Sequence, residues 1–118
     1  MDKSGVESAI KTFAEGADAQ NSEQVLSVLH KDALQFFMGK EGLTKLTTDM
    51  YKGMLDSKKI GGKPRQMTIH SVDIEGNIAT AKVTFDGGHA TFDNFISLMN
   101  VDGGWKIMNI VLRYKPKG

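Results

Sequence analysis

The chain has 118 residues, 15 basic and 14 acidic side chains and a net charge of +1, which allows one domain with a single core, spanning residues 1–118, and excludes a general attraction for polyanions. Apolar residues make up 40% and charged residues 25%, the proportions of an ordinary globular domain. The absence of cysteine excludes disulfides, thiolate nucleophiles and cysteine-bound zinc. No apolar run approaches the ~20 residues of a membrane span, so the expectation is a cytoplasmic protein with no membrane partner.

Ser4 and Glu7 are spaced as a capping box, and Val6, Ile10, Phe13 and Ala17 follow at helical spacing, predicting a helix from about Ser4 to Gln20. Asn21 or Ser22 opens a shorter helix with Val25, Leu26 and Leu29 inward, ending near His30. Asp32 to Met38 reads as a short strand stopped by Gly39. A third helix is expected over about Glu41–Lys58, with Leu43, Leu46, Met50, Met54 and Leu55 on one side, halted by Gly61-Gly62-Lys63-Pro64.

From Arg65 the pattern is β. Gly76-Asn77 is a hairpin turn between Gln66–Glu75 and Ile78–Phe85; Gly87-Gly88 and Asp102-Gly103-Gly104 bound Thr91–Val101 and Trp105–Tyr114. Helices followed by an antiparallel meander predict an α+β domain with the helices on one face of a curved sheet. In the last strand both alternations, Trp105/Ile107/Asn109/Val111/Arg113 and Lys106/Met108/Ile110/Leu112/Tyr114, are largely apolar. Helices cover one face; a second subunit covering the other predicts a sheet-to-sheet homodimer. Arg113, Lys115 and Lys117 form a small basic cluster that reads as a solvated tail, and no nucleic-acid partner is expected.

This element order, with the segments Leu29-His30-Lys31-Asp32-Ala33, Phe92-Asp93-Asn94-Phe95-Ile96-Ser97-Leu98 and Asp102-Gly103-Gly104-Trp105-Lys106-Ile107, resembles the nuclear transport factor 2-like superfamily. Within it the chain is most similar to the small bacterial family called Putative lumazine-binding. The resemblance implies a cone-shaped, cystatin-like α+β fold with three helices on the concave face of the sheet. It also implies a pocket at the open end of the cone and frequent dimers. Relatives in the superfamily include ketosteroid isomerases, scytalone dehydratase and polyketide-cyclase-like proteins.

Few residues point to chemistry. His30, His70 and His89 fall on separate elements with no ligand spacing between them, so no metal site is expected. Gly61-Gly62-Lys63 and Gly103-Gly104 lack the strand-to-helix setting of a phosphate loop, and no cofactor is expected. Asp93 interrupts an apolar strand and is the candidate general base, if an apolar cavity raises its pKa. Tyr51 or His70 would then donate a proton, with Asp73 and Asn109 nearby. The alternative is that Asp93 points to solvent, binds a side chain of a neighbouring strand, or sits at a dimer rim. Enzymatic activity is left undecided, because neither the His–Asp dyad of scytalone dehydratase nor an acidic pair of the ketosteroid isomerase type is evident. Met50, Met54, Met67, Met99 and Met108 take core-like positions and would suit an irregular apolar pocket. Tyr51, Met54, His70, Phe85, Asp93, Trp105 and Asn109 are the residues expected to line it. The leading expectation is a small-molecule-binding protein; the alternatives are a cofactor-independent isomerase, dehydratase or cyclase, and a protein–protein interaction module.

Overall fold

A computed structural model of the chain describes residues 3–117. Its elements are α1 (Lys3–Asp18), α2 (Ser22–Leu26), β1 (Leu29–Gly39), β2 (Gly42–Thr47), α3 (Thr48–Asp56), β3 (Gln66–Glu75), β4 (Ile78–Asp86), β5 (Ala90–Val101) and β6 (Gly104–Pro116). The strands form one sheet in the order β2-β1-β6-β5-β4-β3. Every pairing is antiparallel except β1 with β6, which is parallel. Three helices lie on one face of this curved, open sheet, as the sequence pattern predicts.

The core is built where the periodicities place it. Val6, Ile10, Phe13 and Ala17 form the buried stripe of α1, and Ala79, Ala81, Val83 and Phe85 form the matching inner row of β4. Ile96 and Leu98 continue that row on β5, with Ile107 and Ile110 on β6. Asn21 caps α2 by accepting from the Gln24 amide at 3.1 Å, and Thr47 caps α3 by accepting from the Met50 amide at 3.2 Å. Thr48, the first residue of α3, donates to the His30 carbonyl at 2.6 Å and so fixes that helix against β1. Asp102 (φ 53°) and Gly103 (φ 88°) both take the left-handed conformation, which a two-residue turn between β5 and β6 requires.

Three boundaries differ from the sequence reading. The described part of α1 begins at Lys3, so Ser4 lies within its first turn and not ahead of it. The second helix stops at Leu26, and Leu29 and His30 belong to β1. The segment expected to begin the third helix is instead β2, a sixth strand hairpinned to β1 with Gly39 opposite Gly42. Leu43 and Leu46 therefore do not share a helix face with Met54. Leu46 is buried, whereas Leu43 is 71% exposed on an edge strand. Threonines at 44 and 47, one after each leucine, fit a strand as well as a helix, and the β1 edge supplies the hydrogen bonds that decide between them. Met50 on α3 and Met99 on β5, read as core-like, are exposed.

Two bulges set which residues face the helices. In β3 the pairing steps from Ile69–Val83 to Ser71–Lys82, leaving His70 as the extra residue. In β6 it steps from Asn109–Ser97 to Ile107–Leu98, leaving Met108 extra. Trp105 and Ile107 consequently point inward before the bulge, and Ile110 and Leu112 after it. The indole of Trp105 packs against the start of α1, where a Cβ on Gly5 would lie 3.0 Å from Trp105 Cδ1. No helix among the described residues is long and apolar enough to cross a membrane.

Candidate functional site

Between α1, α3, the loop after α3 and the concave face of the sheet lies a cavity of about 520 Å³. Aromatic rings form much of its apolar wall. Phe13 and Tyr51 stack with ring centroids 5.8 Å apart, Phe92 and Tyr114 meet at 5.2 Å with their planes tilted, and Phe37 and Phe85 complete the lining. Met54, Leu46, Ile60 and Leu112 fill the spaces between them.

Polar groups are few and placed at distinct heights. Gln35 and Asn94 line the interior at 4% and 5% exposure. The Asn94 side-chain amide donates to the carbonyls of Val83 and Phe92, at 3.2 and 3.0 Å, so its oxygen is the group it can offer a ligand. The Gln35 Nε2 is buried without any hydrogen-bond partner, a costly condition for an amide donor. Tyr51 lines the cavity and is so closely surrounded that burial pushes its pKa up to about 12, only partly offset by Arg65. It is a neutral phenol that can donate or accept, not a base.

At the mouth, Arg65 and Asp18 form an ion pair that is mostly shielded from solvent. The Arg65 Nε donates to Asp18 Oδ1 at 2.6 Å and its backbone amide to Oδ2 at 3.0 Å. The guanidinium carbon stands 4.6 Å from the Phe85 centroid and 5.2 Å from that of Phe92. Lys59, Lys63 and His89 occupy the same rim.

Of the residues singled out from the sequence, Tyr51, Met54 and Phe85 meet in this cavity. Trp105 does not line it; it is packed beneath α1. His70, Asp93 and Asn109 lie on the opposite, convex face. There the His70 Nε2 lies 2.8 Å from Thr84 Oγ1, Thr84 donates to Asp93 Oδ1 at 2.8 Å, and Arg113 donates to Asp93 Oδ2 at 2.7 Å. Because the Thr84 hydroxyl is used on Asp93, this network requires the His70 Nε2 to carry the proton. The Arg113 hydrogen bond, followed by that of Thr84, holds the Asp93 carboxyl below the usual carboxylate range. That is opposite to the upward shift the general-base reading needs. The neighbouring residue, Asn94, is the one that faces the cavity.

Gln35, Asn94, Asp18 and Arg65 were not singled out from the sequence. Gln35 and Asn94 carried a signal: each is an uncharged polar residue in an otherwise apolar strand. Asp18 and Arg65 are 47 positions apart, and nothing local announces their pairing. Among the described residues no group of three or more acidic or histidine side chains could hold a metal.

The sequence profile of the family described as Putative lumazine-binding matches residues 1–113. The chain belongs to that family. A search of curated proteins gives no match. Among solved structures, this Putative lumazine-binding chain is similar to an NTF-2-like protein of unknown function from Silicibacter pomeroyi, with 19% identity and a TM-score of 0.86 over 98% of this chain and 100% of the other. An NTF2-like protein of unknown function from Shewanella baltica gives 20% identity and a TM-score of 0.85 over 97% and 94%. A ketosteroid isomerase-like protein from Erwinia carotovora gives 13% identity and a TM-score of 0.73 over 94% of each chain. At these identities the likeness establishes the nuclear transport factor 2-like fold.

Proposed function

We propose that the protein binds a compact, planar heterocycle in the cavity, through an edge that both accepts and donates hydrogen bonds. The observation that carries this reading is the orphaned Gln35 Nε2 in a cavity of about 520 Å³. A well-packed domain of this size leaves few voids larger than a water molecule, whereas ligand pockets are apolar chambers with a few fixed polar groups. A ring carbonyl would satisfy Gln35, and a ring N–H would meet the oxygen of Asn94. Lumazine, the compound in the family's description, is a flat bicyclic imide with both groups. Calorimetric titration with lumazine tests the reading. Saturable one-to-one binding that weakens in Gln35→Leu supports it, and no binding, or equal binding by that variant, contradicts it.

The acid–base alternative gains no support from Asp93, which is ion-paired on the convex face. The acidic residue lining the cavity, Asp18, is engaged at both oxygens by Arg65.

We further propose that a second copy of the chain covers the convex face. A row runs across it in register as Lys82–Phe95–Val111–Phe36–Lys45. Its centre is apolar and open, with Phe95 60% and Val111 47% exposed. Beyond the Met108 bulge Ile110 and Leu112 turn inward, and Phe95, Val111 and Phe36 lie on the outer face. Cations at Lys82, Lys45 and Arg113 and anions at Asp93 and Asp73 share the face, so two copies can oppose unlike charges. Native mass spectrometry should show a dimer that Phe95→Lys converts to a folded monomer; a monomeric wild type removes this reading.

A further inference from the structure

Three cationic side chains, Lys59, Lys63 and Arg65, line the cavity together with a single acidic one, Asp18. Loop residues 57–65 are pinned to the C-terminal end of α1: the Gly62 amide donates to the Asp18 carbonyl at 2.8 Å, and Gln20 Nε2 to the Ile60 carbonyl at 3.0 Å. Gly61 is seated so closely that a Cβ there would collide with the Ala17 carbonyl. The loop therefore presents Lys59, Lys63 and Arg65 at the mouth from a fixed backbone. Of these three cations only Arg65 has an acidic partner among the described residues, and the Asp18 contact uses its Nε, leaving the terminal nitrogens of the guanidinium available. His89 joins from the other side: a Cβ on Gly87 would lie 3.6 Å from Arg65 Cγ and 3.7 Å from His89 Cε1, so the two side chains flank that glycine.

We propose that the natural ligand is an aromatic acid, whose ring enters the cavity and whose carboxylate, sulfonate or phosphate rests at the mouth among Lys59, Lys63 and Arg65. The proposal rests on the cavity being a binding site and adds the charge of what it binds. Aromatic walls alone would accept neutral rings equally well. The unpaired lysines and the ring-stacked guanidinium favour an anion, because a planar guanidinium already held by Asp18 and two aromatic faces loses little freedom on meeting an oxyanion. The rim would also select ligand orientation, ring inward and acid outward, placing the ring's polar edge against Gln35 and Asn94.

A matched pair of fluorescent probes tests this on the full chain: 8-anilino-1-naphthalenesulfonate, and N-phenyl-1-naphthylamine, which has the same rings without the sulfonate. The sulfonate should bind about tenfold more tightly at low ionic strength, an advantage on the scale of one or two partly screened charge contacts. Raising the salt should erode that advantage. The Lys59→Gln/Lys63→Gln variant should lose most of it while leaving the affinity of the neutral probe unchanged. Equal affinities for the two probes overturn the aromatic-acid proposal and leave the cavity reading standing. A sulfonate preference that survives the double substitution, or that vanishes with Phe95→Lys on the convex face, overturns it too. Failure of both probes to bind removes the cavity reading itself and the proposal with it.

Discussion

Ile107 and Asn109 stand two residues apart on β6, yet they face opposite sides of the sheet. Their partners are adjacent residues of β5, Leu98 and Ser97, and Met108 is the residue left over. One extra residue thus serves two tasks. It seats Trp105 and Ile107 beneath α1, and it turns Leu112 and Tyr114, further along the same strand, into the cavity wall. Deleting Met108 would restore simple alternation and force one of these two sets out of the interior. That deletion should prevent folding or cost more than about 4 kcal/mol, whereas Met108→Ala, which keeps the extra residue, should cost below about 1.5 kcal/mol. Urea unfolding of the two variants makes the comparison.

On the proposed reading, Gln35 serves binding at the expense of stability. Its Nε2 is buried and unpartnered, so Gln35→Leu should stabilise the ligand-free protein by about 1 kcal/mol and weaken lumazine binding. Thermal unfolding with and without lumazine reads both effects; a destabilised variant would show that the amide has a structural partner.

The mouth depends on Arg65 and Asp18 together. Arg65→Met leaves the Asp18 carboxylate shielded and uncompensated and should cost about 3 kcal/mol. Adding Asp18→Asn should recover part of that loss, since the two residues act as a unit. Additive losses in a double-mutant cycle would mean that the pair is not coupled.

Two groups give pH dependence of opposite sense. The Asp93 carboxyl is held below its ordinary pKa by Arg113 and Thr84, so its contribution to stability is full above about pH 4 and is lost as the pH falls through the lower folded value. The pair is exposed, so the effect is small. Tyr51 is raised to about 12, so its contribution is full below about pH 10 and is lost as the pH rises towards 12. Thermal melts should show a shallower acid limb in Asp93→Asn and a shallower alkaline limb in Tyr51→Phe. Unchanged limbs would contradict these assignments.

The helix stripe of α1, the meander and the turns at Gly76-Asn77 and Asp102-Gly103 were legible because each is written in a local period or a turn residue. The segment from Gly42 to Thr47 was not. Its leucines, three positions apart, fit a helix, and only the β1 edge, through Met38 opposite Leu43 and Gln35 opposite Leu46, makes it a strand. The composition of the candidate site was legible, whereas the parity that decides which strand residues face the cavity was left open by the sequence. Asp93 and Asn94 are neighbours on β5, and β5 turns Asn94 inward and Asp93 outward. His70 and Asn109 were displaced likewise, one as the bulged residue of β3 and the other by the bulge of β6. A bulge is a mismatch in register between two paired strands, which no single strand's sequence records.

The central claim, that the cavity beneath α1 and α3 holds a planar heterocycle by its polar edge, is tested most directly by nitrogen-edited NMR during a lumazine titration. The side-chain amide signals of Gln35 and Asn94 should move together and saturate, while the backbone signals of Phe95 and Val111 stay in place. Shifts confined to the convex face, or a titration in which the Gln35 side chain does not respond, would contradict it.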